Sequence, residues 1–503
     1  MKKTSNSFRK YFLLVISGII ILLAGYYLGR KDKSGIIENK IGDLKKATTS
    51  SVAQIVGLDD RELVLMEHPR LISQIMKGGS FGNEEMSIVA AKNMFSRLPE
   101  AIKDIKGKTE IEEIYPDTWI VRMRIVNAVI VKTVEGLVII DTGMSPAGPA
   151  LYDAARKVSD LPVHTIIYTH GHVDHSYGTW AFFEAGETPQ IVAHENILDR
   201  FKRYLRLRGS IAKNMSQPLE QLPAADSDII WPTITFNDSL NLEIGNELFV
   251  LKHHKGETDD QLYVWIPGRK ILASADYYQG FLPNAGNGKR VQRYVGDWAI
   301  ALQEMAGLKA EVLLPGHGNV LEGKERIGEN LSILAETLLF IESYTIDGLN
   351  NGLRKDQIFQ SIVLPDRLRD HPSLQTLYVS EKDISKMVIR QYTGWWDDIP
   401  SNWSPSTIEN QSKVITEMAG GIPNMISVAR NMVKSDIAMA AHIADWAFFT
   451  EPENEEVQKL VIEVYSKRIM DPESNTQEML AYLDHMAMVR GMMKNKFDTE
   501  IKE

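Results

Sequence analysis

Thr169-His170-Gly171-His172-Val173-Asp174-His175 sets three imidazoles and one carboxylate within six positions. Imidazole nitrogen and carboxylate oxygen suit zinc and related divalent ions, and a His-x-His pair on one loop can aim both rings at one ion. The preceding run, Leu161-Pro-Val-His-Thr-Ile-Ile-Tyr168, is apolar and β-branched, which predicts a buried strand ending where the ligands begin. A metal-free polar loop is the plainer alternative. Histidine is scarce in this chain, 12 in 503 residues, so clustering three of them in one loop points to a metal.

The loop reads H-x-H-x-D-H and resembles the signature of the metallo-β-lactamase superfamily, which implies an α/β fold: an αββα sandwich with one or two metals at the sheet edges. Other segments carry the same resemblance. Gly136-Leu-Val-Ile-Ile-Asp141-Thr142-Gly143 is similar to the family's strand ending in an Asp turn, Ala275-Asp276 to its bridging Asp, and Leu313-Leu-Pro-Gly-His317-Gly318 to its last His. Gly256-Glu257-Thr258 departs from the usual Gly-His-Thr, and a Glu there resembles the alkylsulfatase branch. Arg390 to Pro400, with Trp395 and Trp396, and Met418-Ala-Gly420-Gly421 are similar to that branch's dimerisation segment.

The resemblance implies two divalent ions, zinc first among them. His170, His172 and Glu257 would hold one, Asp174, His175 and His317 the other, and Asp276 would bridge; Asp174 and Asp276 would be the catalytic carboxylates. A glutamate ligand lowers the charge of its site and widens tolerance to manganese or iron. In alkylsulfatases a His-Asn pair followed by arginines holds the sulfate. Here Asn284 remains, Pro283 replaces the His, and Arg290 and Arg293 align across a one-residue gap, so Asn284, Arg290 and Arg293 are the substrate-binding candidates. The function implied is hydrolysis of alkyl sulfate esters to alcohol and sulfate. The alternatives are hydrolysis of another ester, a lactone or a phosphodiester on the same cage, and a membrane-tethered helical scaffold with a vestigial metal site. The branch's sterol-carrier-like last domain has no counterpart before Glu503.

The elements that must position these groups follow from periodicity. Trp119 to Ile125, Asn127 to Thr133 and Leu137 to Asp141 predict strands with a hairpin at Glu135-Gly136; Ala147 to Val158 predicts a helix, and Asp141 a second-layer acceptor for a ligand imidazole. Gln190 to Ala193, Ile234 to Leu251, Gln261 to Ile266 and Lys270 to Asp276 continue the strands. His194 and the His253-His254 pair are expected to be structural. The cations Arg200, Lys202, Arg203, Arg206 and Arg208 read as a solvated helix face able to guide an anion. From Lys324 the pattern is helical: Ile327, Leu331, Leu334, Leu338 and Ile341 share one face, then come helices over 414–432 and 436–448 with caps at Ser435 and Thr450, and over 460–469 and 476–492. These short paired helices resemble tetratricopeptide hairpins.

The expected organisation is a cytoplasmic tip and membrane anchor over 1–33, a stalk over 34–58, a helical extension over 59–110 packed on the catalytic domain over 111–323, and a helical dimerisation domain over 324–503. The anchor rests on Tyr11 to Leu28, eighteen apolar and small residues flanked by cations, longer than the apolar part of a signal peptide. Lys2, Lys3, Arg9 and Lys10 would keep the N-terminus in the cytoplasm and place the catalytic domain outside it; secretion after signal cleavage is the rival. The expected partners are a small anionic ester, a membrane through the N-terminal helix and a second copy through the helical domain. The net charge of −10, with cations and acids interspersed, excludes a basic nucleic-acid surface, and the absence of cysteine excludes disulfides and thiolate ligands.

Overall fold

The computed structural model describes residues 109–123, 126–215 and 219–500, together with His68 and Arg70. The anchor, the stalk and nearly all of the 59–110 extension lie outside the described residues. Among the described residues, no helix is long and apolar enough to cross a membrane.

The first sheet contains β1 (Glu110–Tyr115), β2 (Thr118–Met123), β3 (Val126–Lys132), β4 (Leu137–Ile140), β5 (Val163–Ile167), β6 (Gln190–His194) and β7 (Ile234–Phe236), in that order. It is antiparallel from β1 to β4 and parallel from β4 to β7. The change follows from the connections: β3 and β4 are joined by the hairpin at Glu135-Gly136, whereas α1 (Gly148–Val158) carries the chain from β4 to β5. The second sheet runs β13-β12-β11-β10-β9-β8, built from β8 (Ser239–Ile244), β9 (Glu247–His253), β10 (Leu262–Ile266), β11 (Ile271–Ala275), β12 (Val312–Pro315) and β13 (Leu321–Glu322).

Strand alternation explains the layers. In β4, Val138 and Ile140 point between the sheets with Val129, Phe249, Leu251, Val264 and Leu314, while Leu137 and Ile139 point outward against Leu151, Ala154 and Phe182. A strand buried on both faces needs apolar residues at every position, which is why this one reads Leu-Val-Ile-Ile. The outer layer on the first sheet is α1, α2 (Val173–Ser176), α3 (Trp180–Glu184), α4 (Ile197–Arg206) and α5 (Arg208–Met215). On the second sheet, Leu272 and Leu313 pack under α6 (Val295–Gly307) and the long α7 (Lys324–Asn350), which buries Ile327, Leu331, Leu334, Leu338 and Ile341. The fold is therefore an αββα sandwich followed by helices.

Those helices are α8 (Lys355–Ser361), α9 (Asp366–Arg369), α10 (Glu381–Tyr392), α11 (Ile408–Met418), α12 (Ile422–Met432), α13 (Ile437–Thr450), α14 (Glu455–Met470) and α15 (Thr476–Glu500). The single helix expected over 414–432 is two, because Gly420 and Gly421 both adopt left-handed φ values of 84° and 94° that end α11. The caps also differ from expectation: Asp436 accepts the Met439 amide hydrogen at 2.9 Å, and Asn454 caps α14, while Thr450 is the last residue of α13 and its hydroxyl bonds back to Trp446 O. The carboxylate and the amide each reach the free N–H groups of the turn they precede. Arg70, from the N-terminal extension, donates to Ile469 O at 3.0 Å, so at that point the extension meets the helical half.

Candidate metal centre

The chemistry-bearing residues leave the C-terminal ends of several strands at one rim of the sandwich. Asp141 follows β4, His170 and His172 follow β5, Glu257 follows β9, Asp276 follows β11 and His317 follows β12. Asp174 and His175 lie on the single turn of α2, for which His172 is the N-cap residue. Two glycines let side chains close onto the backbone here. A Cβ on Gly171 would lie 2.9 Å from Arg200 Cδ and 3.1 Å from Asp260 Oδ2, and one on Gly316 would lie 2.4 Å from Asp276 Oδ1.

Two triads of ligand atoms converge, His170 with His172 and Asp276, and Asp174 with His175 and His317, the atoms of each within 4.8 Å of one another. His170 Nε2 and His172 Nδ1 are 2.9 Å apart, and His170 Nε2 is 3.8 Å from Asp276 Oδ2. His317 Nε2 lies 3.5 Å from Asp174 Oδ2, 3.4 Å from Asp276 Oδ2 and 3.3 Å from His175 Nε2. Asp276 thus stands between both triads. Glu257 belongs to neither. Its Oε1 accepts from Arg293 Nη2 at 3.0 Å and Asn284 Nδ2 at 2.8 Å, its main-chain oxygen accepts from Arg293 Nη1, and its amide donates to Gln261 Oε1 at 2.7 Å.

Buried polar atoms without partners test whether a cation fits. Glu257 Oε2 and Asp276 Oδ1 are buried acceptors that receive no hydrogen bond. Two buried carboxylates side by side, each with an unused oxygen, are costly unless a cation compensates them. Burial pushes the Glu257 carboxyl up to about 7 against the pull of Arg293, and the neighbouring Asp276 adds to the rise. Burial and neighbouring positive charge hold His170 and His172 well below the usual imidazole range, so their lone pairs are available. For His175 and His317 burial acts downward too, but Asp276 and Asp174 outweigh it; His317 is raised to about 9. Imidazoles beside carboxylates in this state exchange a proton for a metal when one binds. The donor set therefore fits divalent ions.

A second layer orients the ligands. Asp141, held at φ 61°, accepts from Thr169 N at 2.8 Å, from Thr169 Oγ1 at 2.7 Å and from His175 Nδ1 at 2.8 Å, which turns His175 Nε2 toward the centre. Asp260 accepts the Gly171 amide hydrogen at 2.7 Å and pairs with Arg200 Nε at 3.0 Å; Arg200 also reaches Asp259. Arg200 is thus buried, not part of a solvated face. Its phase could have revealed this, because Ile197, Arg200, Phe201 and Tyr204 share the buried face of α4. The His253 ring stacks on His194 at 3.6 Å, and His254 pairs with Glu304, so all three stand apart from the triads.

Of the three substrate-binding candidates, the structure brings Asn284 and Arg293 to Glu257 and leaves Arg290 in the combined field of Tyr204, Glu257 and Asp174, with burial lowering its basicity first. The helical half holds this loop: Arg390 Nη1 donates to Arg290 O at 2.9 Å and Gln292 Nε2 to Met387 O at 3.1 Å. That half also contributes Tyr378, whose ring stacks on Phe281 at 5.1 Å and whose hydroxyl is kept protonated by burial and by the fields of Glu257, Asp174 and Asp276. The sequence carried no signal for Tyr378, since only packing across about a hundred residues brings it here.

Residues 121–317 match the metallo-beta-lactamase superfamily, and residues 354–491 match alkyl sulfatase dimerisation. A linear primary-alkylsulfatase of a Pseudomonas sp. is 28% identical over 345 residues, covering 63% of this chain and 65% of that protein. The alkyl/aryl-sulfatase of Saccharomyces cerevisiae is 23% identical over 405 residues, covering 74% and 62%. The chain thus spans a little under two thirds of the length of these curated relatives. In fold it resembles the stereoselective inverting sec-alkylsulfatase Pisa1 from Pseudomonas sp., with a TM-score of 0.68 at 18% identity over 86% of this chain and 77% of that one. The αββα sandwich with its paired triads is a domain of the metallo-beta-lactamase superfamily, and the helices after it form an alkyl sulfatase dimerisation region.

Proposed function

We propose that this protein is a dinuclear metallo-hydrolase of alkyl sulfate esters, yielding alcohol and sulfate. The observation that carries the reading is Asp276 standing between two triads of ligand atoms in a chain whose helical half matches alkyl sulfatase dimerisation. The printed names of the two relatives support the substrate class. Two divalent ions, zinc first, would be held by His170, His172 and Asp276 and by Asp174, His175 and His317, with Glu257 Oε2 completing the first site. When bound, such ions acidify water toward neutral pH and neutralise a leaving oxyanion.

The chain's own groups set up the reaction. Burial keeps His170 and His172 neutral, and Asp141 fixes the His175 tautomer by accepting its Nδ1 proton. Arg293 and Asn284 hold Glu257 Oε1 and leave Oε2 buried without a hydrogen bond. Arg290 supplies positive charge for the anionic head group, and the Tyr378 hydroxyl, kept protonated, can donate to an ester oxygen. The second reading, hydrolysis of a phosphodiester, a lactone or another ester, draws on the engagement of Asn284 and Arg293 by Glu257, which leaves Arg290 as the free anion contact of the three.

The organisation proposed with this function is a catalytic domain over 111–323, a helical domain over 324–503 that pairs two copies, and a Tyr11 to Leu28 anchor that keeps the enzyme on the outer side of a membrane. The deciding experiment compares sulfate release from a medium-chain alkyl sulfate with turnover of matched phosphate and lactone esters, in the wild type and in Asp174→Ala. Sulfate release abolished by Asp174→Ala is expected. Turnover confined to phosphate or lactone substrates would transfer the site to the second reading.

A further inference from the structure

On the face of β3 that meets the second sheet, Val129 and Val131 pack into the core, and Asn127 shares their parity. A buried amide among apolar side chains is unfavourable unless its hydrogens find acceptors. They find them in the other sheet. Asn127 Nδ2 donates to Pro315 O at 2.9 Å and to Gly318 O at 3.1 Å, and the Asn127 main-chain N–H donates to Gly316 O at 2.8 Å. Three carbonyl oxygens of Pro315-Gly316-His317-Gly318 therefore accept from one residue.

Asn127 Oδ1, by contrast, is buried and receives no hydrogen bond. An amide turned the other way would set that oxygen against two carbonyl oxygens, so the loop alone fixes how the side chain is oriented. The loop is also tied on its other side, where the Gly316 amide donates to Ala275 O at 2.9 Å and Asp276 Oδ1 fills the space that a Gly316 Cβ would need. His317 thus sits between Asn127 and the strand that delivers Asp276. With the carbonyls of both its neighbours bonded and Gly318 at a left-handed φ of 85°, its backbone has little freedom. The ring that this backbone carries has its Nε2 3.5 Å from Asp174 Oδ2 and 3.4 Å from Asp276 Oδ2.

We infer that Asn127 is a positioning residue for the His317 ligand. It acts through the loop carbonyls, setting the imidazole where Asp174, His175 and His317 can share one ion. Metal ligands need such support, and its removal weakens metal affinity about 10- to 100-fold. The inference rests on the two-metal reading above and is independent of which ester the site hydrolyses.

Zinc binding tests it without a turnover assay. The full chain in mild detergent is stripped of metal and titrated with zinc against a chromophoric chelator, as wild type, Asn127→Leu, His317→Ala and the double variant. Asn127→Leu keeps the branched shape of the side chain and removes both donors. The wild type is expected to hold two tight ions. Asn127→Leu should keep one of them unchanged and weaken the other about 10- to 100-fold, and the double variant should bind no more weakly than His317→Ala, because the amide works through that ligand. A residue that serves only the packing of the sheets would lower the urea midpoint of the metal-free protein and leave both zinc affinities unchanged; that result overturns the inference and leaves the two-metal reading standing. Losses that add in the double variant overturn it as well. A wild type that takes up no zinc removes the metal reading and the inference together. If Asn127→Leu fails to fold, Asn127→Ser, whose single hydroxyl hydrogen can serve one of the two carbonyls and not both, carries the same comparison with a smaller expected loss.

Discussion

Arg200 Nε lies 3.0 Å from Asp260 Oδ1, and the other oxygen of that carboxylate receives the Gly171 amide hydrogen at 2.7 Å. One buried ion pair thereby grips the backbone between His170 and His172. Breaking such a pair leaves a lone buried charge. Arg200→Leu is expected to destabilise the fold by about 3–5 kcal/mol, which urea denaturation measures. Adding Asp260→Leu to it should restore part of that loss, because the orphaned carboxylate goes too. A double variant no more stable than Arg200→Leu would show that the pair does not act as a unit.

The pH dependence of stability should carry a histidine signature away from the metal centre. His194 and His253 stack at 3.6 Å with 19° between their rings, one from each sheet. Burial first, then the partner imidazole, lowers His194 to about 4; burial lowers His253 as well, against Gln261 O and Asp260. Asp238 and Asp259 face His194 without reversing its shift. Because the folded-state values lie below the unfolded one of about 6.5, the unfolded chain takes up protons first as pH falls. Stability is full above that value and drops as pH descends toward 4. Thermal melts from pH 7.5 to 4.5 should show this slope, and His194→Gln/His253→Gln should flatten it.

Arg290 and Tyr378 approach the centre from opposite sides of the domain boundary, and their roles can be separated kinetically. Arg290→Gln removes a charge-assisted contact that contributes about 1.5–3 kcal/mol, so kcat/KM for an alkyl sulfate should fall about 10- to 100-fold, chiefly through KM. Tyr378→Phe keeps the ring on Phe281 and removes only the hydroxyl; the expected loss is in kcat. Steady-state kinetics on protein of unchanged metal content distinguishes the two, and an unchanged kcat in Tyr378→Phe would remove that hydroxyl from the reaction.

Periodicity carried much of this architecture. The Leu-Val-Ile-Ile of β4 and the stripe from Ile327 to Ile341 each have one packing solution, two buried faces for the strand and one for the helix. The loop from His170 to His175 was legible because its ligands are local. What escaped depends on three-dimensional approach. Asp260 and Tyr378 owe their positions to contacts far along the chain, and Arg200 looked like one more cation in a basic run until its helical phase was considered. Glu257 shows the limit of position in a motif: the sequence puts it where a ligand belongs, while the groups that hold it, the counter-charge of Arg293 and the amide of Asn284, come from a loop some thirty residues later.

That engagement leads to a prediction about metal content. Glu257 Oε1 is taken by Arg293 and Asn284, so a metal can draw only on Oε2, and Arg293, fully buried, depends on the glutamate for its counter-charge. Glu257→Gln retains a hydrogen-bond acceptor for the guanidinium yet removes the anionic donor. The variant should fold with one tightly held ion per chain where the wild type holds two, counted by elemental analysis after dialysis against a weak chelator. Asp174→Ala should instead weaken the other site. Glu257→Ala strips Arg293 of its partner and should destabilise the fold by about 3–5 kcal/mol as well. Two ions retained in Glu257→Gln would mean that Glu257 serves only to hold Arg293 in place.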